Sequence, residues 1–161
     1  MDTIILQNPI DMHIHLRQDS MLEAVLPYSV RHFSTLLAMP NLNPPLMDAE
    51  SILAYRQEIM RLVKKDSQNC GLNGEHFTPI IALYIHDNLT LDMLKEAHLA
   101  GVKILKLYPK GATTNAENGV SEVLSKHLLS LLEEAQNLDM ILSIHGESAG
   151  FSMDREREFL E

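Results

Sequence analysis

The sequence predicts an α/β protein whose parallel strands are arranged as in a (β/α)8 barrel rather than as an open doubly wound sheet. Three observations carry that expectation. Short apolar runs alternate with longer amphipathic ones, and no tight hairpin signal lies between the candidate strands. No GxGxxG or GxxxxGK(S/T) stretch follows the first strand, where an open sheet commonly cradles phosphate. Polar residues instead collect where several candidate strands end: His13, His15 and Arg17; Asn41; His86; Lys106; and His145. That distribution is the one a barrel produces, because its chemistry sits at the C-terminal mouth.

The first strand, Pro9–His15, ends in His13-Ile14-His15-Leu16-Arg17. Alternate side chains of an extended chain share a face, so two imidazoles could hold one divalent ion, with Arg17 next in line for an anion. Two strand histidines satisfied by their neighbours fit the spacing as well. Met21–His32 reads as a helix, and Ser34–Met39 as the second strand. The turn Met39-Pro40-Asn41-Leu42-Asn43-Pro44-Pro45 follows, with Asn41 offering a donor and an acceptor either to a polar substrate or to the turn itself.

Asp48–Lys65 is the second helix, capped by Asp48, and the polar stretch Asp66–Gly71 reads as a loop holding an idle thiol, Cys70. A single cysteine excludes an intrachain disulfide. The third strand is Thr78–Ile85. Leu91–Ala100 is a helix with Thr90 at its N-cap and Gly101 just past its end.

Val102–Tyr108, the fourth strand, places Val102, Ile104 and Lys106 on one face and Lys103 on the other. An inward ammonium is costly to bury, so Lys106 is expected to be paired, neutral or chemically modified, whereas Lys103 snorkels. The small polar stretch 110–119, with Thr113 and Thr114, reads either as a mobile lid or as an ordinary solvated loop. Ser121–Asn137 is a helix capped by Ser121. Met140–His145 is the fifth strand and delivers His145 at its end; Asp154–Glu161 reads as the start of a further helix.

Five strands fall short of the eight a barrel needs, so residues 1–161 are expected to form the N-terminal part of a single barrel domain with an open edge. A formal net charge of −9 disfavours a nucleic-acid partner. No apolar run approaches the ~20 residues of a membrane span, and the N-terminus does not read as a signal peptide, so the expected location is the cytoplasm. The nine methionines are expected to fill core gaps. His32, His76, His98 and His127 are read as surface or packing residues, and His86 is left without a role.

Taken together, His13-Ile14-His15-Leu16-Arg17, the 39–45 turn, Lys106-Leu107-Tyr108-Pro109 with Ala112-Thr113-Thr114-Asn115, and Ile144-His145-Gly146-Glu147 resemble the bacterial dihydroorotases of the PyrC type. The resemblance runs from about residue 8 to the end and covers the N-terminal half of that family's chain. It implies a (β/α)8 barrel of the amidohydrolase superfamily with two zinc ions. His13 and His15 would bind one ion and His145 the other, with Lys106, carboxylated on its side-chain nitrogen, bridging both. It further implies that His15, Arg17, Asn41, Thr113, Thr114 and His145 contact a small-molecule substrate, and that the full-length protein is a homodimer. The implied reaction is the reversible cyclisation of N-carbamoyl-L-aspartate to L-dihydroorotate in pyrimidine synthesis. The family's general-base aspartate has no assignable counterpart here, so the chain by itself is expected to be inactive. The alternatives are a non-catalytic half-barrel that binds another subunit, or a related cyclic amidohydrolase such as a hydantoinase.

Overall fold

Helical crossovers between parallel strands organise the chain. The structure, a computed structural model, describes residues 3–70 and 77–147. Its elements are β1 (Ile10–Ile14), α1 (Asp19–His32), β2 (Thr35–Ala38), α2 (Ala49–Cys70), β3 (Thr78–Ile81), β4 (Leu83–Tyr84), α3 (Leu91–Leu99), β5 (Ile104–Leu107), α4 (Lys126–Asn137) and β6 (Ile141–Ile144). Contacts divide the chain into two units, Met1–Met39 with Ala54–Ile81, and Pro40–Leu53 with Ala82–Glu161.

In the first unit the strands run in the order β1-β2-β3, all parallel. Strand β2 is central and reads as an apolar run, Thr35-Leu36-Leu37-Ala38, because both faces of such a strand are covered. Leu22 and Leu26 of α1 and Ile59, Leu62 and Val63 of α2 recur at helical spacing and are buried. Outside this core, Glu23 of α1 meets Arg61 and Lys65 of α2 at 3.9 and 3.5 Å, exposed pairs worth little each. Strand β1 pairs Ile10 with Thr35 and Asp11 with Leu36 but then Ile14 with Ala38. One extra residue therefore bulges out of β1 beside His13.

In the second unit the order is β4-β5-β6, again parallel, with Lys106 opposite Tyr84 on one side and Ser143 on the other. Every residue of β5 is buried, while Ile141 and Ile144 of β6 are half exposed at the sheet edge. Helix α3 begins as expected: the Thr90 side chain accepts from the Met93 amide, and Gly101 closes the other end at φ +90°, a conformation that favours glycine.

Several sequence expectations are corrected. The run Thr78–Ile85 is two strands, because its first half pairs with β2 and its second with β5, with Ala82 between them. Helix α2 continues to Cys70, where a loop was expected from Asp66; no glycine or proline interrupts the chain before Gly71. Helix α4 begins at Lys126 with Ser125 as its N-cap, since Ser121 is drawn to Asp87 instead. Asp48 does cap α2, accepting from the Ser51 amide at 2.8 Å. Met39 and Met140 are core residues, but Met12 and Met21 are largely exposed. The expected helix at Asp154–Glu161 and the reading of His76 lie outside the described residues.

Candidate active site

In the first unit, the bulge of β1 sets the geometry of the two leading histidines. The His13 amide donates to the Asp11 carboxylate at 2.9 Å, and the rings of His13 and His15 lie edge to face with centroids 5.3 Å apart. The structure thus brings these two imidazoles together, and both are exposed. Arg17 departs from expectation. The strand ends at Ile14, and Arg17 has φ +60°, so it sits in a turn rather than next on a strand face. Its carbonyl is fixed by the Tyr55 hydroxyl, which donates at 2.6 Å. Burial pushes the Tyr55 phenol well above its ordinary range, with the Arg17 charge opposing, so the hydroxyl keeps its proton.

In the second unit, Lys106 is 1% exposed. Its Nζ lies 3.5 Å from Ser143 Oγ and 5.2 Å from the centre of the Tyr108 ring, and no carboxylate pairs with it among the described residues. Burial lowers its pKa, as desolvation does for any ammonium. The neighbouring strand, β6, ends just before His145, whose amide donates to the Leu107 carbonyl and whose ring packs on Tyr108 at 5.8 Å. Its Nε2 lies 2.7 Å from Glu147 Oε2.

Asn41 is also 1% exposed and fastens the stretch after β5. Its Nδ2 donates to the Thr114 carbonyl at 2.9 Å, its Oδ1 accepts from the Tyr108 hydroxyl at 3.0 Å, and its own carbonyl accepts from Asn115 Nδ2. The Tyr84 hydroxyl donates to the Asn115 carbonyl, and burial, helped by the Glu117 charge, pushes that phenol up to about 12. Backbone bonds from Gly111 to Ala116 and from Val120 to Tyr108 complete the fastening. The stretch read as a lid or solvated loop is therefore tied down here, with Thr113 half-buried and Thr114 exposed.

In each unit taken by itself the donor types suit a divalent ion of the zinc kind. Imidazoles come as a pair in one unit; in the other, the buried Lys106 amine, with no counter-charge among the described residues, lies over the Tyr108 ring, on which a third imidazole, His145, packs. Carboxylation would turn that amine into an anionic oxygen donor and remove the cost of burying a cation. The set is partial: among the described residues no group of three His, Cys, Asp or Glu side chains is placed to hold a metal ion.

Sequence reasoning missed Glu147, Tyr108 and His86. Glu147 stands two residues from a candidate ligand, a signal that was available. Tyr108 carries no spacing that marks it. His86 is 5% exposed, and neither ring nitrogen has a hydrogen-bond partner among the described residues. Burial lowers its pKa, against the opposing influence of the Met47 backbone and of Asp87 and Asp48. His127, read as packing, does bond the Leu89 carbonyl at 2.8 Å.

No family model matches the sequence. A dihydroorotase from Helicobacter pylori is 47% identical over 153 residues, which is 95% of this chain and 42% of that protein. The crystal structure of a dihydroorotase from Campylobacter jejuni superposes with a TM-score of 0.80 at 39% identity, over 94% of this chain and 42% of that one. A dihydroorotase from Saccharomyces cerevisiae, solved in complex with 5-fluoroorotic acid, gives 0.75 at 27% identity over 90% and 37%. The chain spans about two-fifths of the length of the relatives it matches. The expected fold class stands: these are the parallel βα units of the amidohydrolase barrel. Over nearly its whole length, this chain is similar to part of the dihydroorotases of Helicobacter pylori and Campylobacter jejuni.

Proposed function

We propose that the protein is a dihydroorotase that interconverts N-carbamoyl-L-aspartate and L-dihydroorotate in pyrimidine synthesis, and that residues 1–161 form part of its single barrel domain. The observation that carries this reading is the 47% identity to a dihydroorotase over 95% of the chain. His13 and His15 would hold one zinc ion, His145 a second, and Lys106, carboxylated, both. Two such ions supply a hydroxide nucleophile at neutral pH and polarise the amide carbonyl of the ring.

The protein's own residues bind and orient. Arg17 supplies a guanidinium suited to the substrate carboxylate, and its backbone is anchored by Tyr55. Asn41 offers its amide to the same group once it exchanges its bond to the Thr114 carbonyl. Thr113 and Thr114 close over the ligand from the tethered stretch. His15 and His145 also face the substrate in this reading. No residue of the chain is assigned the proton-transferring aspartate, so the 161 residues by themselves are proposed to be inactive. We place the full-length enzyme in the cytoplasm, as a homodimer. Among the described residues no helix is long and apolar enough to cross a membrane.

The test is ring opening of L-dihydroorotate by the protein isolated from its own cells, with hydantoin as the competing substrate. Turnover of dihydroorotate that is abolished by a chelator and restored by zinc is expected. Equal turnover of the two rings would overturn the substrate assignment, because hydantoin lacks the carboxylate that Arg17 and Asn41 are suited to hold.

A further inference from the structure

His145 is held at three points. Its backbone amide is bonded to Leu107, its ring rests on Tyr108, and its Nε2 meets the Glu147 carboxylate at 2.7 Å. The two side chains are only 22% and 35% exposed, so the contact is partly shielded from water. An ionised carboxylate can only accept a hydrogen bond, and the hydrogen must therefore sit on Nε2. In the neutral ring this leaves Nδ1 as the nitrogen with a free lone pair.

We propose that Glu147 is a positioning residue: it fixes the tautomer and the rotation of the His145 ring, so that Nδ1 is presented to a divalent cation. This rests on the reading of His145 as a metal ligand and deepens it. A carboxylate behind a ligating imidazole also raises the basicity of the ligating nitrogen, and loss of such partners weakens metal binding about 10–100-fold. Glutamine at 147 would keep an acceptor oxygen and lose only the charge. Alanine would lose both.

The experiment uses the full-length protein, ¹⁵N-labelled at histidine, as the metal-free form and after zinc addition, with Glu147→Gln and Glu147→Ala beside it. Long-range proton–nitrogen spectra report which nitrogen of His145 carries hydrogen and which meets the metal, and competition with a chromophoric chelator reports zinc affinity. The expected result is hydrogen on Nε2 and zinc on Nδ1 in the parent protein. Zinc binding should be about 10–100-fold weaker in Glu147→Ala and largely retained in Glu147→Gln. Coordination through Nε2, or unchanged zinc affinity in a folded Glu147→Ala protein, would overturn the inference alone. No zinc-induced change at His145 in the parent protein would overturn the underlying assignment of His145 and, with it, the inference.

Discussion

Asn41 and Tyr108 offer the sharpest quantitative test of how the stretch after β5 is held. Replacing Asn41 by alanine removes the acceptor of the Tyr108 hydroxyl, which belongs to a residue only 1% exposed. Losing one hydrogen bond of a buried hydroxyl costs about 0.5–1.5 kcal/mol. The same change frees the Thr114 carbonyl, but Thr114 is exposed and water can replace the lost donor, so that bond contributes about 0.5–1.5 kcal/mol. Asn41→Ala should therefore destabilise the chain by about 1–3 kcal/mol. Tyr108→Phe should cost about 1–2 kcal/mol in the parent protein and far less once Asn41 is gone, because the hydroxyl has then lost this acceptor. Urea unfolding of the four proteins in the cycle measures this, provided the denaturant slope stays constant. A coupling energy of about 1–2 kcal/mol is expected, accompanied by faster hydrogen exchange at the Gly111 and Val120 amides in both single variants. A coupling below about 0.3 kcal/mol, with exchange unchanged, would refute the idea that this pair fastens the segment.

Other substitutions probe separate features. Lys106→Met keeps an unbranched side chain one atom shorter and removes a buried charge with no counter-ion among the described residues, so the metal-free chain should gain on the order of 1–4 kcal/mol in urea unfolding; a loss would mean that the ammonium is compensated. Gly119→Ala would drive a Cβ into the Tyr108 carbonyl oxygen and place it 3.0 Å from that of Ala116, and the resulting backbone shift should cost about 1–3 kcal/mol in urea unfolding. The Asp87 carboxyl is held below its ordinary range first by the Ser121 hydroxyl and then by the Ser121 amide. It therefore adds stability above the unfolded value of about 3.9 that is lost as pH falls through the folded one. The stability gap between the parent and Asp87→Asn should close on acidification below about pH 4, and a gap independent of pH would contradict this.

The order of strands and helices was legible because periodicity reports burial directly. β2 and β5 read as continuous apolar runs since both of their faces are covered. What sequence could not show was set by pairing and by competition for partners. Thr78–Ile85 looks like one strand until each half takes a different neighbour, and Ser121 looks like a helix cap until Asp87 claims its hydroxyl and amide. Alternation along an ideal strand placed Arg17 beyond His15, but the bulge and the turn after Ile14 broke that alternation. Lys106 stood out because a lysine within an apolar run contradicts its surroundings. Tyr108 acts through contacts that follow from where β5 ends, and no spacing rule anticipates them, whereas Glu147 stands two residues from His145, a spacing the sequence displays.

Carboxylation of Lys106 is the claim on which the proposed metal chemistry depends. The direct measurement is a ¹³C spectrum of the zinc-loaded, full-length protein prepared with ¹³C-bicarbonate, alongside Lys106→Arg. The account predicts one protein-bound carbamate signal that is absent from the variant and lost on removal of the metal. A zinc-loaded protein that turns over dihydroorotate without that signal would contradict it.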